Sequence, residues 1–222
     1  MEFKLFEKLG SLEGIELYLL IGAAIVFAVL LFFAIRSFKS GKETLVKASP
    51  TRTLVYGALS LTLSFVLSYF KLFSMPFGGS ITLVSMLPLV AYACYFGPVA
   101  GFTAGLAYSV LQIIQGAWVV HWLQFILDYL VAFTILGVAG FFPRKVPLGM
   151  AVAGVLRLLT STISGAVFFA EGGLDYGIAN PWVYSFLYNG LTIGVDTVLC
   201  VVVALIPAIK SLFDRTLGRS GK

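Results

Sequence analysis

Val119–Phe141 reads VVHWLQFILDYLVAFTILGVAGF, a stretch with one carboxylate, Asp128, and no lysine or arginine. At a helical rise of about 1.5 Å per residue, roughly 20 apolar residues cross the hydrocarbon core of a bilayer. The stretch is long enough to do so, and it lacks the broad charged face that a helix needs in water. His121, Gln124 and Asp128 are spaced i, i+3 and i+7, which places them on one face of an α-helix. Asp128 then lies about two turns, ~10 Å, deeper than His121. A carboxylate at that depth is costly unless it is protonated, pairs with a cation such as Arg157, or meets a cationic ligand.

The rest of the chain has the same character. Of 222 residues, 59% are hydrophobic and 11% charged, against about 25% charged in soluble domains. The apolar runs predict seven spans: Ile15–Ile35, Thr53–Phe70, Ile81–Phe96, Pro98–Ile114, Val119–Phe141, Leu148–Ala170 and Trp182–Ile209. The third is short and contains Pro88; the seventh is longer than a bilayer requires. The first is too long for a signal-peptide core and has no small-residue cleavage site after it, so it reads as a retained helix. The expected fold class is all-α integral membrane. Residues 1–50 form an accessory helix with a basic linker, and residues 51–222 form a six-helix unit.

The net charge of +5 does not describe a nucleic-acid surface, because the cations sit at the ends of apolar runs. With the Arg36–Arg52 linker in the cytoplasm, that side holds Arg36, Lys39, Lys42, Lys47, Arg52, Arg144, Lys145, Lys210, Arg215, Arg219 and Lys222. The other side holds only Lys4, Lys8 and Lys71, and Arg157 lies within a span. The positive-inside rule therefore predicts an outer N-terminus and a cytoplasmic C-terminus. Cys94 and Cys200 both fall in apolar runs and read as buried thiols, with no metal-binding spacing.

Chemistry-bearing residues gather on two spans. Besides the His121, Gln124, Asp128 face, Val119–Phe141 carries Trp122 and Tyr129, with Trp118 just before it. Trp182–Ile209 carries Tyr184, Asn189 and Asp196; Asn189 can both donate and accept, while Asp196 falls deeper than an outward-facing site. Trp118, Trp122 and Trp182 all fall at the outer ends of spans. An interfacial belt serves both faces of a bilayer, so this one-sidedness points to rings that stack on a planar ligand or hold a cation. Gly97, Gly101 and Gly105 recur every four residues, as do Gly190 and Gly194, a spacing for close helix contact; Ala58 and Thr62 form a similar small pair. No G-x-x-x-x-G-K-[ST] phosphate loop and no His/Cys metal cluster is present in the sequence. Any ATP-derived energy must come from a partner.

Four blocks then converge on one family. GGSITLVSMLP (Gly78–Pro88), HWLQFILDYLVAF (His121–Phe133), ISGAVFF (Ile163–Phe169) and PWVYSFLYNG (Pro181–Gly190) resemble, in order and spacing, the thiamine-specific S-components of energy-coupling factor (ECF) transporters. The resemblance runs from about Thr51 to Pro207 and leaves the first helix outside it. It implies a six-helix membrane subunit of the bacterial cell membrane, multi-pass and not an enzyme, that captures thiamine from outside. Its partners would be a transmembrane coupling subunit and two ATPase subunits. It also implies ligand contacts from Asp128 with Tyr129 beside it, from Tyr184 and Asn189, from Tyr108, from Phe169 after the Ser-Gly pair, and from Trp118. Where the family carries a histidine about four residues before that pair, this sequence has Ser161, and the loop Met75–Ser80, which lacks a tryptophan, is the expected lid. His121, Gln124 and Ser161 complete the candidate set.

Thiamine joins a fixed thiazolium cation to a flat aminopyrimidine, and a carboxylate, an amide and several rings suit both halves. No cofactor or metal is expected. Three other readings remain open: an S-component for another vitamin or a thiamine precursor, a self-sufficient secondary transporter using Asp128 and Asp196 for protons, and an intramembrane hydrolase using Ser161 and His121.

Overall fold

A computed structural model describes residues 48–218. The predicted span Ile15–Ile35 and most of its linker lie outside the described residues. Helix α1 (Pro50–Tyr69) begins at an N-cap: Ser49 Oγ accepts the Arg52 N–H at 3.3 Å, and Pro50 occupies the first turn. A small antiparallel hairpin follows, β1 (Lys71–Ser74) paired with β2 (Ser80–Thr82), Phe73 opposite Ile81. Then come α2 (Leu87–Phe96), α3 (Pro98–Gly116), α4 (Trp122–Phe141), α5 (Val146–Phe168) and α6 (Pro181–Leu205), with α7 (Pro207–Thr216) at the end.

Helices α3, α4, α5 and α6 are each long and apolar enough to cross a membrane. Their outer faces carry exposed aliphatics, among them Val99, Leu106 and Ile114 on α3 and Leu191, Val198 and Val202 on α6. Such faces suit lipid, where apolar exposure costs nothing. Helix α1, which is not among these four, also exposes aliphatics, Leu54, Leu59 and Leu63.

The predicted third span, Ile81–Phe96, resolves differently. Ile81 and Thr82 belong to β2, and only Leu87–Phe96 is helical. All of Leu87–Tyr95 is buried, and α2 packs against α1, α3, α4 and α5. It is a short helix at the centre of the bundle, apolar on every face because every face meets protein. The predicted seventh span ends early, at Leu205: Ile206 is extended and Pro207 starts a separate helix.

The glycine spacing on α3 has the expected consequence. A Cβ on Gly101 would come within 2.9 Å of Gly137 Cα, and one on Gly105 within 2.6 Å of the Phe133 carbonyl. The α3 and α4 backbones touch there, as small residues permit. Gly190 on α6 instead faces open space: a Cβ there would meet nothing within 4 Å.

Candidate ligand-binding site

Helices α4 and α6 each widen into a π-helical turn, at Ile126–Val131 and Gly190–Gly194, the second of them packed against the hairpin strand β2. Such wide turns rotate the residues after them and recur at functional sites. One carries Asp128 and Tyr129; the other directly follows Asn189. Between these two helices, α3, α5 and the hairpin lies a cavity of about 190 Å³.

Asp128, Tyr129, Asn189, Tyr184, Tyr108, Trp118, Gln124, Phe169 and Ser161 all line this cavity. Asp128 is half-buried. Gln124 Nε2 and Ser164 Oγ each donate to its Oδ2 at 2.9 Å, so Oδ1 keeps its acceptor capacity. Gln124 also donates to the Trp118 carbonyl at 3.1 Å and accepts the Val120 N–H at 3.2 Å. Its amide is committed to holding Asp128 and the turn before α4. The Tyr129 hydroxyl accepts the Trp118 N–H at 2.7 Å, fixing the same turn.

Asn189 is spent on one side only. Its Nδ2 donates to the Ser185 carbonyl at 2.9 Å and the Ser161 carbonyl at 3.2 Å, which leaves Oδ1 as the free acceptor. The residue thus offers an acceptor, not the donor–acceptor pair that its side chain allows in isolation. Tyr108 is fully buried, donates to the Ser64 carbonyl at 3.3 Å and sets its ring edge-on to Phe133 at 5.3 Å.

Over the cavity sits the hairpin turn. Phe77 adopts φ 60 and ψ 22, a left-handed conformation that a bulky residue holds only when its surroundings demand it. Its ring lies 5.7 Å from Phe169 and 6.4 Å from Trp118. Tyr188 secures the turn from below: it accepts the Gly79 N–H at 2.9 Å and donates to the Pro76 carbonyl.

His121 does not line the cavity. It has extended backbone and serves as the N-cap of α4, its Nδ1 accepting the Leu123 N–H at 3.1 Å, while its ring stacks on Phe168 at 5.1 Å. The i, i+3, i+7 spacing fails here because His121 precedes the helix. Arg157 and Asp128 do not form a hydrogen-bonded pair. Arg157 Nη1 donates to Met86 Sδ at 2.7 Å, its guanidinium lies 4.3 Å from the Phe133 ring centroid, and its Nε has no hydrogen-bond partner.

Tyr188, Asp196 and Thr82 are among the lining groups that the sequence reading left out of the site. Tyr188 stands one helical turn after Tyr184, a signal that was present. Asp196 lines the cavity after all, seven residues beyond Asn189, and accepts from Thr82 Oγ1 at 3.1 Å. Thr82, which bonds Ser85 at 2.7 Å, was hidden because its strand was read as helix.

Comparison with known proteins agrees with this architecture. A family model described as Thiamine transporter protein (Thia_YuaJ) matches residues 54–214. The thiamine transporter ThiT of Bacillus subtilis strain 168 is 32% identical over 147 residues, covering 59% of this chain and 75% of that protein. ThiT of Lacticaseibacillus paracasei is 32% identical over 157 residues, covering 61% and 77%. A solved structure of ThiT from Listeria monocytogenes shares the fold with a TM-score of 0.56 at 21% identity, covering 71% of this chain and 96% of that one. These relatives are named as transporters, not enzymes, and with the long apolar helices they make this a multi-pass membrane protein.

Proposed function

We propose that this chain, which belongs to the thiamine transporter family, captures thiamine in the cavity beneath the hairpin and delivers it for uptake. The observation that carries the reading is Asp128: a carboxylate within a membrane span, held by neutral donors on Oδ2 and flanked by rings. A cationic ligand in the same cavity answers that charge; Arg157, which also lines the cavity, donates to Met86 Sδ and makes no hydrogen bond to the carboxylate. In this reading the aminopyrimidine amine donates to Asp128 Oδ1 and Asn189 Oδ1. The thiazolium lies among Phe77, Trp118 and Phe169, whose ring faces attract a cation. Tyr129, Gln124 and Ser164 hold the carboxylate and its turn in place. Ser161 stands beside the pyrimidine where related sequences carry histidine. Tyr184 and Tyr108 close the walls.

The cavity opens to the outside, with residues 51–222 forming the capture unit and the hairpin turn as its lid. In this reading an ECF coupling subunit and its two ATPases supply the energy for inward release, and the sequence carries no phosphate-binding loop of its own. Tryptophan fluorescence of the detergent-purified chain during a thiamine titration tests the reading. Saturable quenching at nanomolar to low micromolar thiamine supports it. A folded protein that does not respond assigns the cavity to another ligand, with Ser161 the first residue to exchange.

A further inference from the structure

Helices α4 and α6 both begin beside the ligand cavity and end at the far side of the bundle. A second cavity of about 400 Å³ lies at that far end. Its polar lining is cationic: Arg144 and Lys145 from the turn between α4 and α5, and Lys210 from α7. Its walls are apolar, formed by Val146, Leu148, Leu205 and Phe213 among others. All three cations are exposed, and among the described residues none sits in an ion pair.

The turn that presents them is a built structure. Arg144 adopts φ 58, its N–H donates to the Cys94 carbonyl at 3.0 Å, and its guanidinium lies 6.0 Å from the Tyr95 ring centroid. The nearby carboxylate, Asp214, is engaged by Tyr95, whose hydroxyl donates to Oδ1 at 2.7 Å. Pro207 starts α7 immediately after α6, and this reversal brings Lys210 back to the turn. The basic segments on either side of the described residues do not suit this cavity. The linker 36–52 carries five cations and one carboxylate, and residues 219–222 add Arg219 and Lys222; both would repel it.

We infer that this cavity holds the phosphate headgroup of an anionic phospholipid from the leaflet opposite the ligand cavity. Three cations at the end of membrane helices supply the charge recognition, and basic pockets in such positions suit anionic headgroups. The aliphatic wall gives the first methylenes of the acyl chains a surface that a free inorganic anion would not use. The charge asymmetry of the loops places this end in the cytoplasmic leaflet, where anionic lipids attract basic segments. The inference does not depend on the identity of the transported ligand.

Native mass spectrometry of the full chain, released from nanodiscs of equal phosphatidylglycerol and phosphatidylcholine, tests it. The wild type should retain phosphatidylglycerol over phosphatidylcholine. The triple variant Arg144→Gln, Lys145→Gln, Lys210→Gln should retain about tenfold less, with its melting temperature in detergent unchanged as the control for folding. A second variant, Lys210→Gln alone, should lose part of the retention. Addition of millimolar inorganic phosphate should leave the lipid bound. Equal retention of both lipids, equal retention by the triple variant, or full displacement by phosphate each overturns the assignment. So does capture of an acidic peptide in preference to the lipid.

Discussion

The Tyr188 hydroxyl accepts the Gly79 N–H at 2.9 Å across 109 residues of sequence. The same hydroxyl donates to the Pro76 carbonyl, so one phenol on α6 ties down both sides of the hairpin turn. The turn in turn presses Phe77 between Trp118 and Phe169. Tyr188 thus adds to the Thr82–Asp196 hydrogen bond and the Phe77 ring contacts that hold the hairpin over the cavity.

Tyr188→Phe removes both hydrogen bonds and keeps the ring. Each such bond contributes about 1 kcal/mol net, and loss of a closed lid is read in the dissociation rate. Stopped-flow displacement of thiamine should show dissociation about fivefold faster or more, with association nearly unchanged. An unaltered dissociation rate would remove Tyr188 from the lid.

Trp118 is the tryptophan that lines the cavity; Trp122 and Trp182 do not. Trp118→Phe should abolish most of the thiamine-dependent quenching while calorimetry still detects binding. Trp122→Phe should quench as the wild type does. Quenching that survives in Trp118→Phe would place the ligand elsewhere.

The α3–α4 contact makes a stability prediction. Gly101→Val forces a side chain against Ala93 and Gly137 and should cost about 1–3 kcal/mol, as overpacking does. Gly190→Ala meets open space within a helical segment and should be neutral or stabilising by up to about 1 kcal/mol. Thermal unfolding in detergent compares the two, and a lower melting temperature for Gly190→Ala than for Gly101→Val would contradict the packing described.

Periodicity and charge made the long spans legible, because an apolar run of bilayer length has few other readings. Pro98–Gly116 and Val146–Phe168 each lie within two residues of the predicted bounds. The β-hairpin was not legible: Ile81–Phe96 is uncharged and mostly apolar, and composition alone cannot separate a buried strand and short helix from one longer helix. The π turns were equally hidden, since they arise from packing and not from a residue signature. Helical spacing assigned His121 to the face of Asp128, but His121 precedes the helix as its N-cap; depth set Asp196 apart from the cavity, yet it lines it. The side chains that do line the cavity were found by their cost: an acid, an amide and clustered rings in membrane spans stand out against an apolar background.

Thiamine capture at Asp128 is tested most directly by the thiamine affinity of Asp128→Asn against the wild type, measured by isothermal titration calorimetry. The substitution keeps the shape and the acceptor at one oxygen while removing the charge. Binding should weaken by well over tenfold, on the order of 2–4 kcal/mol for a buried charge contact, with melting temperature little changed. An unchanged affinity in a folded variant would contradict the assignment, because the cavity would then hold its ligand without the carboxylate on which that assignment stands.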